Sequence, residues 1–180
     1  YQSATEVGSS IKPLSVYGPA LDLGLSPASA VVNIPDPIVG WDTETGYPAI
    51  GSEKYEGIIT LRRGVVSSLN VAAARTLLED VSLQTGADYL AKLGVDPSRI
   101  KTTGSGLALG AMGITPIEMA GAYAAIANEG KYIKPVSFSR VVDQNGKVIL
   151  DSSKLRTEQQ VFKPTTAYML VDILHEAVES

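Results

Sequence analysis

Tyr168, Val171, Leu174 and Val178 recur at helical spacing near the end of the chain. The stripe they form predicts a helix from about Thr165 to Glu179, started by Pro164. Ala87, Leu90, Ala91 and Leu93 repeat the pattern over 85–93, and Gly94 stands where a left-handed residue closes a helix. Between the two, Thr115-Pro116-Ile117-Glu118 combines an N-cap hydroxyl, a proline at the first helical position and a glutamate at the third. That is a start signal for an alanine-rich helix reaching Asn128 and Gly130. Upstream, the pattern predicts a short helix over 60–66, a turn over 67–70 and a helix rich in Ala and Leu over 71–80, with Asn70 placed to cap it. The first helix is expected from Ser9 to about Gly24. Pro13 falls in its first turn, where a missing N–H does little harm, and Pro19 is expected to kink it.

Two stretches depart from the helical period. Val136–Val142 and Lys147–Leu150 flank Asp143-Gln144-Asn145-Gly146, where Asn-Gly supplies positive φ, and predict one β-hairpin. From Ser26 to Tyr55 the text turns to Pro, Gly, Asp and Thr punctuation, including Pro35-Asp36-Pro37 and Thr43-Glu44-Thr45-Gly46. This reads as a long irregular loop, a kind that is usually functional inside a compact domain. No internal repeat or low-complexity tract interrupts the series.

Composition narrows the function. At 180 residues and 44% apolar the chain can bury a core of ordinary domain size. A net charge of −4, with no clustering of Lys and Arg, excludes a nucleic-acid partner. With no Cys and a single His, neither a disulfide framework nor a zinc centre is expected, and no cofactor motif is present. The absence of Cys is compatible with an exported protein. No apolar run approaches a bilayer span, and Tyr1–Glu6 does not read as a signal peptide, so any targeting element is expected outside these residues.

The chemistry lies in two short motifs. Ser9 and Lys12, in Gly8-Ser9-Ser10-Ile11-Lys12-Pro13, share one helical face, so a hydroxyl and an amine can meet within a turn. Desolvation lowers a lysine pKa and makes it a general base for an otherwise weak serine nucleophile. Ser68-Leu69-Asn70 follows, just ahead of an alanine-rich helix, and suits a hydroxyl and an amide pointing into a cleft; an ordinary capping turn is the competing reading. Ser-x-x-Lys alone is weak: Ser98-Arg99-Ile100-Lys101 is a second match, in loop chemistry between helices. Trp41 reads as the anchor of a long loop or a cleft wall, His175 as a packed or surface residue, and Glu6, Glu53 and Glu56 as solvated.

Taken in order, these segments resemble the transpeptidase domain of penicillin-binding proteins, most nearly the bifunctional class A type that also carries a glycosyltransferase. Gly8–Leu14 is similar to the family's nucleophile helix, and Tyr55–Arg62 leading into Ser67–Ala72 to its second motif. Leu107-Ala108-Leu109-Gly110, followed by Ile114–Ala124 and Asn128-Glu129-Gly130, is similar to a signature downstream. The third motif, Lys-Thr-Gly on a strand edging the cleft, is absent; Lys101-Thr102-Thr103-Gly104 has one residue too many and reads as a decoy loop. The resemblance implies an α+β, serine β-lactamase-like fold. Residues 1–180 would be a partial domain, mainly its α-helical lobe with one hairpin, whose remaining strands are partners from outside the chain.

The resemblance also implies roles. Ser9 would attack the penultimate D-Ala carbonyl of a peptidoglycan stem peptide, Lys12 would take its proton, Ser68 would relay a proton to the leaving amine, and Asn70 would hold the substrate amide and Lys12. β-Lactams would acylate Ser9 as covalent inhibitors, and the protein would work at the extracytoplasmic face of the bacterial membrane. The oxyanion hole would take one N–H from Ser9 and one from the missing strand. A β-lactamase would need a Glu to activate the deacylating water, and Lys101–Gly106, where it is expected, holds no carboxylate. A penicillin-recognising sensor or degenerate wall-binding module is the non-catalytic alternative.

Overall fold

The computed structural model describes residues 3–41, 43–49, 54–154 and 156–180. Strand β1 (Thr5–Glu6) leads into a continuous helical stretch that changes pitch twice. A 3₁₀ turn spans Gly8–Ile11, a π-helical turn Pro13–Tyr17 and helix α1 Gly18–Asp22. The prolines explain the changes. Pro13 has no N–H to offer the Ser9 carbonyl, which instead accepts from Lys12 in the tighter 3₁₀ pattern. Gly18 donates five residues back to Pro13, the π spacing. A Cβ on Gly18 would stand 2.6 Å from the Pro13 oxygen and 2.8 Å from the Phe162 ring, so the close approach requires glycine. All residues from Ile11 to Ala20 are buried.

The expected loop over 26–55 contains a strand. β2 (Ala30–Asn33) pairs antiparallel with β3 (Gly57–Thr60), in the register Ala30 with Thr60 and Asn33 with Gly57. The described residues from 34 to 41 are held inward by buried Ile38 and Trp41 and by Arg75, whose guanidinium donates to the Asp36 carbonyl at 3.0 Å and pairs with Glu79. Trp41 is an anchor: a Cβ on Gly104 would lie 2.8 Å from its ring. Glu53 lies outside the described residues; Glu6 and Glu56 are exposed, and Glu56 pairs with Arg63.

Helix α2 (Leu61–Val66) starts at Thr60, whose hydroxyl accepts from the Arg63 N–H, and α3 (Asn70–Arg75) continues as a π-helical turn over Thr76–Val81. Helix α4 (Leu83–Lys92) ends before Gly94 at φ +88, and α5 (Gly104–Leu109) is capped by Thr103. Thus the Thr102-Thr103-Gly104 stretch is a helix start. The second Ser-x-x-Lys is likewise a capped turn, in which Asp96 accepts from the N–H and hydroxyl of Ser98.

Strand β4 (Gly113–Ile114) pairs with β1 and delivers the chain to α6 (Pro116–Ala127). Its capping box forms as expected, with Thr115 and Glu118 each bonding the other's backbone N–H. Burial pushes the Glu118 carboxyl up, but hydrogen bonds from Thr115, the Asp96 N–H and Arg99 outweigh it and hold the group at about 2. β5 (Lys131–Ile133) pairs with the later β8 (Glu158–Gln160), and β6 (Arg140–Val142) with β7 (Val148–Asp151) forms the expected hairpin. The fold is α+β, with the described strands in four two-stranded ladders around one continuous helical core.

Helix α7 (Pro164–Glu179) corrects the stripe read from the sequence. Its buried face is Thr166, Ala167, Leu170 and Ile173, whereas Tyr168 is 74% and Val178 88% exposed. The reason is tertiary: α1 and α2 pack on one side of α7, and Arg62 of α2 pairs with Asp172 and Glu176. The other apolar side borders an open groove with α6, lined in part by Ile126, Ala127, Tyr168 and Val171. His175 is a surface residue 3.4 Å from Glu179.

Candidate active site

Ser9 lies exposed in the 3₁₀ turn and Lys12 directly follows that turn, buried to 2% exposure. Residues i and i+3 eclipse in 3₁₀ geometry, so the two side chains leave the same side of the turn. Lys12 Nζ donates to the Ser68 carbonyl at 2.6 Å, to Ser68 Oγ at 3.2 Å and to Asn70 Oδ1 at 2.7 Å. The two motifs, 56 and 58 residues apart along the chain, therefore meet at one nitrogen. The Ser9 carbonyl accepts from the Lys12 N–H, and Ser9 itself stands one turn ahead, exposed.

The local backbone explains the convergence. Ser68 has φ +53, a left-handed conformation that a non-glycine residue adopts at a cost of roughly 1–2 kcal/mol. The reversal closes α2, with Ser68 and Leu69 donating their N–H groups to Val65 and Gly64, and presents carbonyl and hydroxyl of Ser68 to the same amine. Asn70 is not a cap. It is the first residue of α3 rather than the one before it, and its side chain leaves the helix to accept from Lys12 and to donate to the Ala49 carbonyl at 3.2 Å. A helix start needs only one of several polar residues, whereas bridging Lys12 to the 43–49 segment needs a side chain with donor and acceptor together.

The Ala49 carbonyl is the part of this arrangement that the sequence did not announce. Every residue carries such an oxygen, so only the folded loop can single it out. The nucleophile stretch is in turn fixed to α5, where Ser15 Oγ reaches the Leu107 carbonyl at 2.6 Å while also approaching that of Ile11. Among the described residues no group of His, Asp and Glu is arranged to hold a metal ion. An exposed serine hydroxyl, a buried amine beside it, a second hydroxyl and an amide bridging to a loop can together support nucleophilic attack with proton transfer.

The model for the penicillin-binding protein transpeptidase domain matches residues 1–180. The chain belongs to this family. Penicillin-binding protein 1A of Clostridium tetani is 37% identical over 180 residues, covering 93% of this chain and 22% of the relative. The Escherichia coli protein of the same name is 35% identical over 154 residues, covering 84% of this chain and 18% of its own length. The chain thus spans about a fifth of such relatives. Among solved structures, penicillin-binding protein 1A from Haemophilus influenzae superposes with a TM-score of 0.85 at 28% identity, over 99% of this chain and 30% of that one. PonA1 from Mycobacterium tuberculosis in complex with penicillin V gives a TM-score of 0.73 at 25% identity, over 92% of this chain and 45% of that one. The fold is that of the penicillin-binding transpeptidases, as the two motifs led us to expect. No helix among the described residues is long and apolar enough to cross a membrane.

Proposed function

We propose that the chain carries the acylation centre of a peptidoglycan D,D-transpeptidase. The observation that carries this is the buried Lys12 amine, held by Ser68 and Asn70 one turn behind an exposed Ser9. Ser9 Oγ attacks the carbonyl of the penultimate D-Ala of a stem peptide, and its proton passes to Lys12. A covalent ester forms, and the terminal D-Ala leaves with a proton relayed through Ser68. An amine from a neighbouring stem peptide then displaces Ser9 and completes the cross-link; attack by water instead would make the enzyme a carboxypeptidase. Asn70, already bridging Lys12 and the loop, holds the substrate amide. Penicillins acylate the same serine.

We further propose that residues 1–180 are the helical portion of a larger transpeptidase domain, in a bifunctional class A protein with a glycosyltransferase and a membrane anchor elsewhere, working at the extracytoplasmic face. Two features support this: the chain spans 22% of a relative's length, and α7 presents an exposed apolar stripe suited to the remaining strands. With no Lys-Thr-Gly to supply the second oxyanion donor, the 180 residues alone are expected to turn over poorly, since one such donor is typically worth about 10²–10³ in rate.

Intact-mass analysis after incubation with a penicillin tests the assignment in the full-length protein and its Ser9→Ala variant. An adduct on the first and none on the second is expected. Failure of the full-length protein to label would replace the transpeptidase reading with a non-catalytic wall-binding module. Labelling with neither cross-linking nor hydrolysis of stem peptides would instead identify a penicillin-recognising sensor.

A further inference from the structure

One contiguous segment, from α5 through β4 to α6, touches the Ser9 turn at three points that the chemistry above does not use. β4 pairs Ile114 with Thr5 and Gly113 with Glu6, immediately ahead of the turn. Gly110, at φ +71, lies so close to Gly8 that a Cβ there would stand 2.1 Å from the Gly8 carbonyl oxygen and 2.6 Å from its nitrogen. The Gly8 N–H also faces the Gly110 carbonyl at 3.4 Å. Finally, Tyr123 of α6 donates its hydroxyl to the Ser10 carbonyl at 2.8 Å.

Two of these contacts bracket the peptide plane that follows Ser9, at the Gly8 and Ser10 carbonyls. A trans peptide is rigid, so the Gly8 carbonyl and the Ser9 N–H point in opposite directions from one plane, and confining the oxygen aims the N–H. The next plane is held by the Lys12 N–H on the Ser9 carbonyl, and the one after it by Tyr123 on the Ser10 carbonyl. From Gly8 to Ser10, each carbonyl thus has a neighbour: Gly110 packs against that of Gly8, and those of Ser9 and Ser10 accept hydrogen bonds.

We propose that Gly110 and Tyr123 are positioning residues for acylation, holding the backbone around Ser9 so that its N–H and Oγ keep the geometry a developing oxyanion requires. The inference rests on Ser9 being the nucleophile. Gly110 does this by lacking a side chain, which lets the two backbones touch. Tyr123 does it as a donor that persists, since burial pushes its hydroxyl up to about 12 and keeps it protonated across the working pH range.

The test uses the full-length protein, a fluorescent penicillin and stopped-flow kinetics that separate the affinity of the reversible complex from the acylation rate constant, with thermal unfolding followed in parallel. Tyr123→Phe removes one hydroxyl and leaves the ring. It is expected to lower the acylation rate constant about three- to tenfold, the worth of one net hydrogen bond. Reversible affinity, the shape of the pH profile and the melting temperature should stay near those of the parent. Gly110→Ala should lower the same constant by about 10², as for loss of an oxyanion donor. If that variant does not fold, Tyr123→Phe alone decides. Acylation of Tyr123→Phe at the parental rate, or a deficit that merely follows its unfolded fraction, overturns the inference. Absence of label on the unaltered protein would instead remove the nucleophile assignment on which the inference stands.

Discussion

The first helical stretch and the last are both apolar, yet the fold uses them differently. Ile11 to Ala20 are buried on every side, whereas α7 buries Thr166, Ala167, Leu170 and Ile173 and leaves Tyr168 and Val178 in the open. In the first case the neighbours surround the helix: α2, α4, α5 and the π-helical turn over Thr76–Val81, and α1 against α7. In the second, α1, α2 and α6 leave part of the helix uncovered. The difference teaches that periodicity fixes how many faces a helix can bury, but the packing partners decide which of two apolar faces is chosen.

The sharpest break of the comparison is chemical. Lys12→Met keeps the length and burial of the side chain in the first stretch and removes its donors to Ser68 and Asn70. Penicillin acylation should fall by about 10²–10⁴, the range of a general base, when followed by labelling rate in the full-length protein.

Next comes a contrast within α7. Leu170→Ala should cost about 2–5 kcal/mol in chemical denaturation, as a cavity in a packed core does. Val171→Ser in the 180-residue chain should stay within about 0.5 kcal/mol. In the full-length protein Val171→Ser should become costly, because the groove beside α6 is then covered; equal costs in both contexts would remove the proposed docking role of that face.

Gly18→Val probes the joint between the two regions, where a Cβ meets the Pro13 oxygen and the Phe162 ring. Overpacking there is expected to cost about 1–3 kcal/mol and to slow acylation, since the π-helical turn behind Lys12 must move.

The smallest effect concerns Glu118, which lies away from both helices. Its folded value of about 2 is below the ordinary 4.5, so the stabilisation is complete above pH 4.5 and is lost as the pH falls toward 2. Glu118→Gln keeps one acceptor for the Thr115 N–H but turns its NH2 toward the Asp96 N–H and Arg99; it should cost about 1 kcal/mol near neutrality and flatten the acid limb of a melting-temperature profile over that window.

Much of this was legible in the sequence, where local signals and tertiary demands agree. Thr115-Pro116-Ile117-Glu118 and Asp143–Gly146 form the box and the turn their chemistry prescribes, and Lys12, Ser68 and Asn70, singled out in two separate motifs, meet at one amine. The misses share a cause. Ala30–Asn33 is a four-residue run whose ladder partner, Gly57–Thr60, lies beyond a long irregular segment, so no nearby turn signal announces the pair. Asn70 has a respectable local use as a cap, and a more distant demand from Lys12 and Ala49 displaces it. The exposed stripe of α7 is as regular as the buried one, and nothing within residues 164–179 ranks them.

Asp22, at the end of α1, accepts hydrogen bonds from the Lys163 N–H, the Thr166 hydroxyl and Tyr89. Burial pushes its carboxyl up, but those bonds outweigh it and hold it below the ordinary aspartate value. The N-terminus of α7 therefore borrows its acceptor from a residue 141 positions upstream, because Lys163 supplies no cap of its own. The first turn of α7 is thus completed by a tertiary contact rather than by local sequence. Amide exchange in the first turn of the last helix should therefore report on the integrity of α1, the end of the helical stretch that opens at the Ser9 turn.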